Sequence, residues 1–262
     1  MSSELKAAKI IATARHANTT LDPLPPMCRP KDLNEAYNIQ EIIHNDWGED
    51  RMGERIGYKI GCTTAVMQKN LGITHPCAGS IKKRDVQYLS AVLPIQDFIM
   101  PGVECEIGVV LDSDLRPEDG PFNLGKTAKL IGSVFAAIEL VDNRYRGATK
   151  IGVPTLISDD FFGAGAILGE FVNDWAAIDL AKVEGHLFIN GDLQHSGFGA
   201  SVMGHPLEAV SWFLNMKARR AEIVKAGEFI LTGSLTPVQW IATPCKVAVK
   251  IDQLGEVEVI FN

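Results

Sequence analysis

One stretch, Pro101 to Leu111, constrains this 262-residue chain more than any other. Its apolar residues alternate, which predicts a β-strand with Val103 and Cys105 on one face. The opposite face carries Glu104 and Glu106, with Cα atoms about 6.5–7 Å apart at the usual strand rise. Two like charges in an otherwise apolar strand repel each other and lose hydration. Either this face is solvated, or a cation lies between the two carboxylates, for which a divalent metal is the simplest candidate.

A second apolar segment, Val134 to Asp142, favours the metal. It also has the character of a strand, and it carries a lone acidic residue, Glu139. A neighbouring strand can bring this residue to the first two as a third carboxylate. Three converging carboxylates are improbable without a cation. With one, they form half of an octahedral shell and leave positions for water and substrate.

A strand is also predicted near Lys59, where apolar and polar residues alternate from Ile56 to Cys62. Lys59 shares its face with Gly57 and Gly61, which leaves space beside the ammonium group for a ligand. The alternative is an ordinary lysine on a half-exposed strand. The residues alone leave both interpretations open.

Charge and composition exclude several classes of protein. The net charge of −7 and the lack of a basic cluster argue against nucleic-acid binding. No apolar run reaches the roughly 18 residues of a membrane span, and the N-terminus lacks a signal-peptide core. The cysteines are odd in number and contain no Cys-x-x-Cys pair, which favours reduced residues in a cytoplasmic protein over disulfides or a zinc site. They are Cys28, Cys62, Cys77, Cys105 and Cys245.

The remaining pattern mixes helices and strands, without repeats and without a dinucleotide-binding turn or a Gly-x-Ser-x-Gly elbow. Helices are predicted at 3–17, 32–46, 65–71 and 206–219, a loop at 72–79, an Asn-Gly hairpin at 186–195, and closing strands near 229–232, 247–251 and 257–261.

Four motifs occur in the order and at the spacing of a known family: Tyr58–Thr64, Val103–Gly108, Ile138–Arg144 and Leu231–Leu235. The chain resembles the 2-keto-4-pentenoate hydratase / 4-oxalocrotonate decarboxylase group of the fumarylacetoacetate hydrolase superfamily. The resemblance implies an α+β fold, a mixed rolled β-sandwich around a helix. It implies a small helical, α/β N-terminal segment carrying the lysine strand, which we bound at 1–85, and a metal-binding β-roll domain at 86–262.

The resemblance also implies the site. Mg²⁺ or Mn²⁺ is expected on Glu104, Glu106 and Glu139, with a 2-keto acid or its dienol chelating the metal. The family lysine corresponds to Lys59, which would hold the substrate carboxylate or take part in acid–base chemistry. Substrate contacts are expected from Thr63, Thr64, Thr232, Gly233 and Ser234. The expected partners are the small 2-keto acid and further copies in a homo-oligomer, which could join a sister enzyme of the pathway, with no nucleic acid and no membrane.

Two departures bear on the reaction. Hydratases of this family commonly carry an Asp in the loop after the lysine strand, where this chain has Cys77. Further on, Asp159 and Asp160 precede two bulky phenylalanines where relatives often have small residues. Either Cys77 takes the place of the water-activating carboxylate, or it only packs and one of the two aspartates positions the water.

We therefore expect a metal-dependent lyase, in the first place a hydratase of 2-hydroxypenta-2,4-dienoate in aromatic catabolism. One alternative is the sister decarboxylase, for which Arg144 or Arg146 could bind the second carboxylate of the substrate. Another is a hydrolase of acylpyruvates, which uses the same enolate chemistry. The last is a catalytically silent partner subunit or binding module.

Overall fold

The computed structural model describes residues 1–46, 53–147 and 151–262 and has an α+β fold. Its helices are α1 (Ser3–His16), α2 (Leu33–Asp46), α3 (Ala65–Leu71), α4 (Leu124–Ala128), α5 (Val153–Ser158) and α6 (Pro206–Arg219). Its strands are β1 (Arg55–Gly61), β2 (Cys77–Lys82), β3 (Val86–Tyr88), β4 (Ser90–Leu93), β5 (Pro101–Leu111), β6 (Ile131–Asp142), β7 (Gly163–Leu168), β8 (Glu184–Ile189), β9 (Asp192–Phe198), β10 (Phe229–Ser234), β11 (Gln239–Trp240), β12 (Cys245–Ile251) and β13 (Gly255–Phe261).

The strands form two mixed sheets. The larger has the order β2-β1-β10-β5-β6-β7-β3, with β11 also pairing with β5. In it β1 runs parallel to β10 and β3 runs parallel to β7, whereas the other pairs are antiparallel. The smaller sheet has the order β4-β13-β12-β8-β9. The prediction of an α+β fold built on mixed sheets is confirmed.

One face of the larger sheet packs on the smaller sheet and on α6 in a single core that includes Ile107, Ile138 and Val249. The rings of Tyr58 on β1 and Phe213 on α6 lie 4.8 Å apart, which seats the helix against the strand. The apolar residues that alternate along β5 and the apolar stripe of α6 are the faces buried in this core.

The opposite face of the larger sheet is divided along its strands. At one end lies a small second core around Phe135 and Phe229. A Cβ atom on Gly108 would lie 2.1 Å from the Phe135 ring, so only glycine fits opposite that side chain. At the other end of the same face lie Glu106 and Glu104, one and two same-face positions before Gly108 on β5.

The predicted helices are confirmed, as are the hairpin and the closing strands. The predicted loop at 72–79 is wrong at its end, because Cys77 begins β2 and pairs with Gly61 of β1. All six residues of β2 are buried, so the stretch has no polar–apolar alternation by which a strand is recognised.

The strands of the predicted N-terminal segment, β1 and β2, pair directly into the larger sheet. The division at residue 85 stays a prediction.

Among the described residues, no helix combines the length and apolar character needed to cross a lipid bilayer.

Candidate active site

Three carboxylates converge where β5 and β6 pair. Glu104 is the direct cross-strand partner of Glu139, and Glu106 lies two residues further along β5. A carboxylate oxygen from each lies within 4.8 Å of the others. Glu106 and Glu139 are each only 1 % exposed, and Glu104 is partly buried. The expectation that a neighbouring strand supplies the third carboxylate is met by this register.

Burial and mutual repulsion act on the protonation of this cluster. Burial, reinforced by Glu139, raises the pKa of Glu104 to about 7. The same two causes, with Glu104 added, raise the pKa of Glu106 well above its usual value. Without a further cation the site therefore retains protons at a pH where ordinary glutamates have lost them.

Glu139 Oε2 is buried and accepts no hydrogen bond from the described residues, and Oε1 forms an ion pair with Lys59 Nζ at 2.9 Å. A buried carboxylate oxygen without a donor is costly, since it has given up water and gained no partner. Three converging carboxylates, one with an unused oxygen, form the all-oxygen donor set that Mg²⁺ or Mn²⁺ takes in proteins. The residues present thus fit a divalent metal.

Lys59 is 2 % exposed, which excludes the interpretation of a solvated strand lysine. Its Nζ lies 2.9 Å from Glu139 Oε1 and donates a hydrogen bond of 2.7 Å to the carbonyl oxygen of Phe161. Burial by itself would lower the pKa of this lysine, but Glu139 and Glu104 outweigh it and raise the pKa above its ordinary value. Lys59 is therefore a buried cation beside the carboxylate cluster.

Gly233 supports the cluster through its backbone. Its N–H donates to Glu106 Oε2 at 2.8 Å, which orients that carboxylate. Its φ is +118°, and a Cβ atom there would lie 2.5 Å from Thr63 Oγ1. Both the left-handed backbone and the close approach of Thr63 require glycine. Thr63 and Gly233 thus border the cluster together.

The other three residues of the predicted substrate-binding set use their hydroxyls inside the protein. Thr64 caps α3 by accepting from the N–H of Met67. Thr232 donates to the carbonyl of Ile107 at 2.9 Å, and Ser234 donates to the carbonyl of Thr236 at 2.8 Å. Their contacts with a substrate stay predictions.

Cys77 is fully buried, and its thiol hydrogen-bonds to that of Cys62. This hydrogen bond and burial raise the pKa of Cys77 far above the usual thiol range, and the same bond lowers the pKa of Cys62. The sequence does not predict the contact between Cys62 and Cys77, because the register of β1 and β2 determines which residues become cross-strand neighbours.

Asp159 lies in a separate buried network. Its carboxylate pairs with Arg15, with Arg144 Nη2 at 2.6 Å, and with the hydroxyl of Tyr145 at 2.6 Å. Burial alone would raise the pKa of Asp159, but the two arginines hold it below its usual value. The catalytic role predicted for Asp159 stays a prediction, and its contacts here are all with protein groups.

The two arginines considered for a second substrate carboxylate differ in position. Arg144 is 5 % exposed and committed to Asp159 through Nη2, with Nη1 buried and unbonded. Arg146 pairs at the surface with Asp22 at 3.6 Å.

Sequence patterns drew attention to Asp160 but missed its partners, His44 and Ser80. Asp160 Oδ1 lies 3.0 Å from His44 Nε2 and accepts from the N–H of Ser80 at 2.9 Å. His44, on α2, lies 116 residues earlier in the chain. No local motif connects them, so only the adjacency of acidic and bulky residues at 159–162 could have drawn notice to this segment.

Comparisons with known proteins identify what the chain is similar to. The chain is 33 % identical over 269 residues to the 2-keto-4-pentenoate hydratase of Burkholderia vietnamiensis, with 100 % of both chains covered. The 4-oxalocrotonate decarboxylase from Pseudomonas putida G7, solved with magnesium and adipate, superposes with a TM-score of 0.90 at 27 % identity, over 99 % of this chain and 97 % of that chain.

A structure from Yersinia pestis CO92 assigned to the fumarylacetoacetate hydrolase family superposes with a TM-score of 0.62 at 18 % identity, over 78 % of this chain and 92 % of that chain. This likeness shows the fold alone, and it confirms the predicted fold type. No protein-family model matches the chain.

Proposed function

Because the chain belongs to the 2-keto-4-pentenoate hydratase and 4-oxalocrotonate decarboxylase family, we propose that it is a divalent-metal-dependent lyase of small 2-keto acids in aromatic catabolism. The first candidate reaction is hydration of 2-hydroxypenta-2,4-dienoate. One observation carries the proposal: three carboxylates converge beside a buried lysine that pairs with only one oxygen of Glu139 and leaves the other without a donor from the described residues.

Glu104, Glu106 and Glu139 would hold Mg²⁺ or Mn²⁺. When bound, the metal supplies Lewis-acid stabilisation of the negative charge that develops on the 2-oxygen of an enolising substrate. The small core around Phe135 lies beside the cluster on the same face of the sheet and is apolar, which strengthens charge interactions on that side of the cluster.

Lys59 is proposed to hold the substrate carboxylate. An ammonium group has three N–H donors. One is directed to the Phe161 carbonyl and one to Glu139, so a third can meet an anion that enters the cluster. Thr63, beside Gly233, is the hydroxyl of the predicted set that we assign to the substrate.

Decarboxylation of a 2-oxo-3-enedioate is the second candidate, and Cys77 favours it. The buried thiol stands where relatives would use a carboxylate to activate water. Its raised pKa keeps it protonated, so it cannot accept a proton from water near neutral pH. Loss of CO₂ from an enolate-forming substrate needs the carboxylate cluster and Lys59 but no activated water.

The test is turnover with Mg²⁺ of three substrates: 2-hydroxypenta-2,4-dienoate, a 2-oxo-3-enedioate and an acylpyruvate. Lys59→Ala should raise KM strongly and lower kcat for the preferred substrate. Lys69→Ala, on the exposed side of α3, is the matched control and should behave as wild type. Failure to turn over any of the three would identify a silent subunit instead.

Cys77→Asp separates the two lyase reactions. If position 77 activates water, hydration should rise at least about tenfold in the variant, while wild type decarboxylates faster than it hydrates. Fast hydration by wild type with no gain in the variant would show that Cys77 only packs, and would favour the hydratase.

We also propose a cytoplasmic homo-oligomer that can associate with a sister enzyme of the pathway. Five cysteines without a disulfide support the reducing compartment. Sedimentation of the purified protein, alone and mixed with the partner enzyme, tests the assembly. A monomer under both conditions would contradict it.

A further inference from the structure

Three consecutive residues after α5 have a left-handed backbone although none is glycine. The φ angles are 52° at Asp160, 49° at Phe161 and 67° at Phe162. This region is sparsely populated for residues with a side chain, and a run of three survives only where the surroundings hold it. We call Asp160–Phe162 the left-handed turn.

The turn is held from behind by the carboxylate of Asp160. Its Oδ1 lies 3.0 Å from His44 Nε2 and accepts from the N–H of Ser80 at 2.9 Å, and its Oδ2 lies 3.3 Å from Arg15 Nη2. The side chains of Asp160 and His44 are each 2 % exposed. Within the part of the chain that the structure describes, His44 Nδ1 has no hydrogen-bond partner, so a neutral imidazole carries its proton on Nε2 and donates it to Asp160.

The backbone of β2 limits how closely the turn can approach the sheet. Gly79 on β2 lies against Asp160, and a Cβ atom there would be 2.7 Å from the Asp160 carbonyl oxygen. The strand and the turn thus approach as closely as backbones can, which leaves the turn little freedom to shift toward or away from the sheet.

The front of the turn faces Lys59. The Phe161 carbonyl oxygen accepts from Nζ at 2.7 Å, and the Phe161 ring centroid lies 5.6 Å from the same atom. The carbonyl can meet the ammonium only because the turn is left-handed at this residue. A relaxed backbone would carry the oxygen elsewhere, and Glu139 alone would then determine the position of Nζ.

We propose that Asp160 and His44 are positioning residues for Lys59: they hold the left-handed turn so that the Phe161 carbonyl fixes one donor of the ammonium and leaves another directed at the substrate carboxylate. Neither residue touches the substrate. The inference rests on the proposed function in one respect, that Lys59 binds the substrate carboxylate.

Two variants at one position separate positioning from packing. His44→Leu removes the hydrogen bond to Asp160, whereas His44→Gln keeps an N–H donor at a similar distance from Cα. We expect His44→Leu to lower kcat/KM about 10- to 100-fold, chiefly through KM, as small misplacements at a site do. His44→Gln should recover most of the loss.

A double-mutant cycle with Lys59→Ala gives the decisive readout. If His44 acts through Lys59, His44→Leu should change kcat/KM less than about twofold when Lys59 is already absent. A general loss of structure would lower activity in both backgrounds. Thr127→Val, which removes a buried hydrogen bond to Ser211 of 2.8 Å between α4 and α6, controls for destabilisation and should leave KM unchanged.

The results can separate an error in the role of Lys59 from an error in the positioning role of His44 and Asp160. Wild-type kinetics in Lys59→Ala would overturn the proposed role of the lysine. Impaired Lys59→Ala with normal His44→Leu and normal Asp160→Asn would overturn the positioning inference alone. Equal losses from His44→Leu with and without Lys59 would overturn it as well.

Discussion

Two acidic clusters, one of which includes Asp160 of the left-handed turn, differ in how their charges are compensated. The carboxylate cluster of Glu104, Glu106 and Glu139 has one neighbouring cation, Lys59, and the pKa values of its first two members are raised by burial and mutual repulsion. The aspartate pair, Asp159 and Asp160, has Arg15, Arg144 and His44, which outweigh burial and hold both pKa values low.

This difference in charge compensation indicates which of the two clusters can bind a cation. The carboxylate cluster sets three carboxylates against one ammonium group and one backbone N–H donor, so it gains free energy from a divalent cation that enters. The aspartate pair is already compensated by two arginines and by hydrogen-bond donors. Burial alone does not identify a functional carboxylate, whereas incomplete compensation does.

The largest expected effect comes from removing a carboxylate of the first cluster. Glu106→Gln should abolish Mg²⁺ binding and lower kcat at least about 1,000-fold, because metal stabilisation of a developing charge is worth several kcal/mol. Calorimetry and turnover measure both. Glu256→Gln, an exposed strand glutamate paired with Lys250, is the control. Undiminished Mg²⁺ affinity in Glu106→Gln would remove this residue from the metal site.

The matching change in the aspartate pair should affect stability instead. Asp159→Asn leaves Arg144 without its counter-charge and Arg15 with Asp160 alone, and should lower the free energy of unfolding by about 3–5 kcal/mol. Urea unfolding measures it. Asp179→Asn, which breaks a surface pair with Lys182, should cause no measurable change. A fully stable Asp159→Asn would show that the two clusters do not differ in this way.

The pH dependence of metal-free stability should separate the clusters again. The folded pKa of Glu104, about 7, lies above its unfolded value of 4.5, so its stabilising effect is full below pH 4.5 and is lost as pH rises through 7. The Tm of wild type should therefore fall relative to that of Glu104→Gln between pH 5 and 8. A shift of 2.5 pH units corresponds to about 3 kcal/mol.

Mg²⁺ should remove much of that pH dependence, since metal binding displaces the protons. Parallel Tm curves for wild type and Glu104→Gln without metal would mean that Glu104 titrates normally.

The smallest effect is expected from the backbone donor. Gly233→Ala should displace the N–H that orients Glu106 and lower Mg²⁺ affinity about 10- to 100-fold, as loss of a group supporting a ligand does. Gly255→Ala also replaces a left-handed glycine, but nothing lies near its Cβ position. It therefore measures backbone strain alone, and equal metal affinities in the two variants would assign Gly233 no part in the site.

Part of the site follows from local pattern. A strand exposes alternate residues on alternate faces, so Glu104 and Glu106 must share a face, and an isolated acidic residue in an apolar strand can join them only from a neighbour. That periodicity predicted the three carboxylates as a group. The same rule placed Lys59 between glycines, although it could not tell whether that face is buried.

The partners of Cys77 and Asp159 lay beyond such reasoning. Cys77 has a thiol neighbour because Gly61 pairs with Cys77 in the β1–β2 register, and a shift by one residue would remove it. Asp159 meets Arg15 from 144 residues away. Long-range ion pairs of this kind have no sequence period.

The sequence by itself determined the strands that carry the acidic residues, the faces of those strands and the carboxylates available to bind a metal, since these depend on the two-residue repeat of a β-strand. Only the tertiary structure decided how each charge is compensated. The chain surrounds Asp159 and Asp160 with two arginines, Arg15 on α1 and Arg144 just after β6, and leaves Glu139 Oε2 without a donor from the described residues. Whether a buried charge is compensated depends on its distance from charges elsewhere in the chain, and only the packing of the folded protein determines those distances.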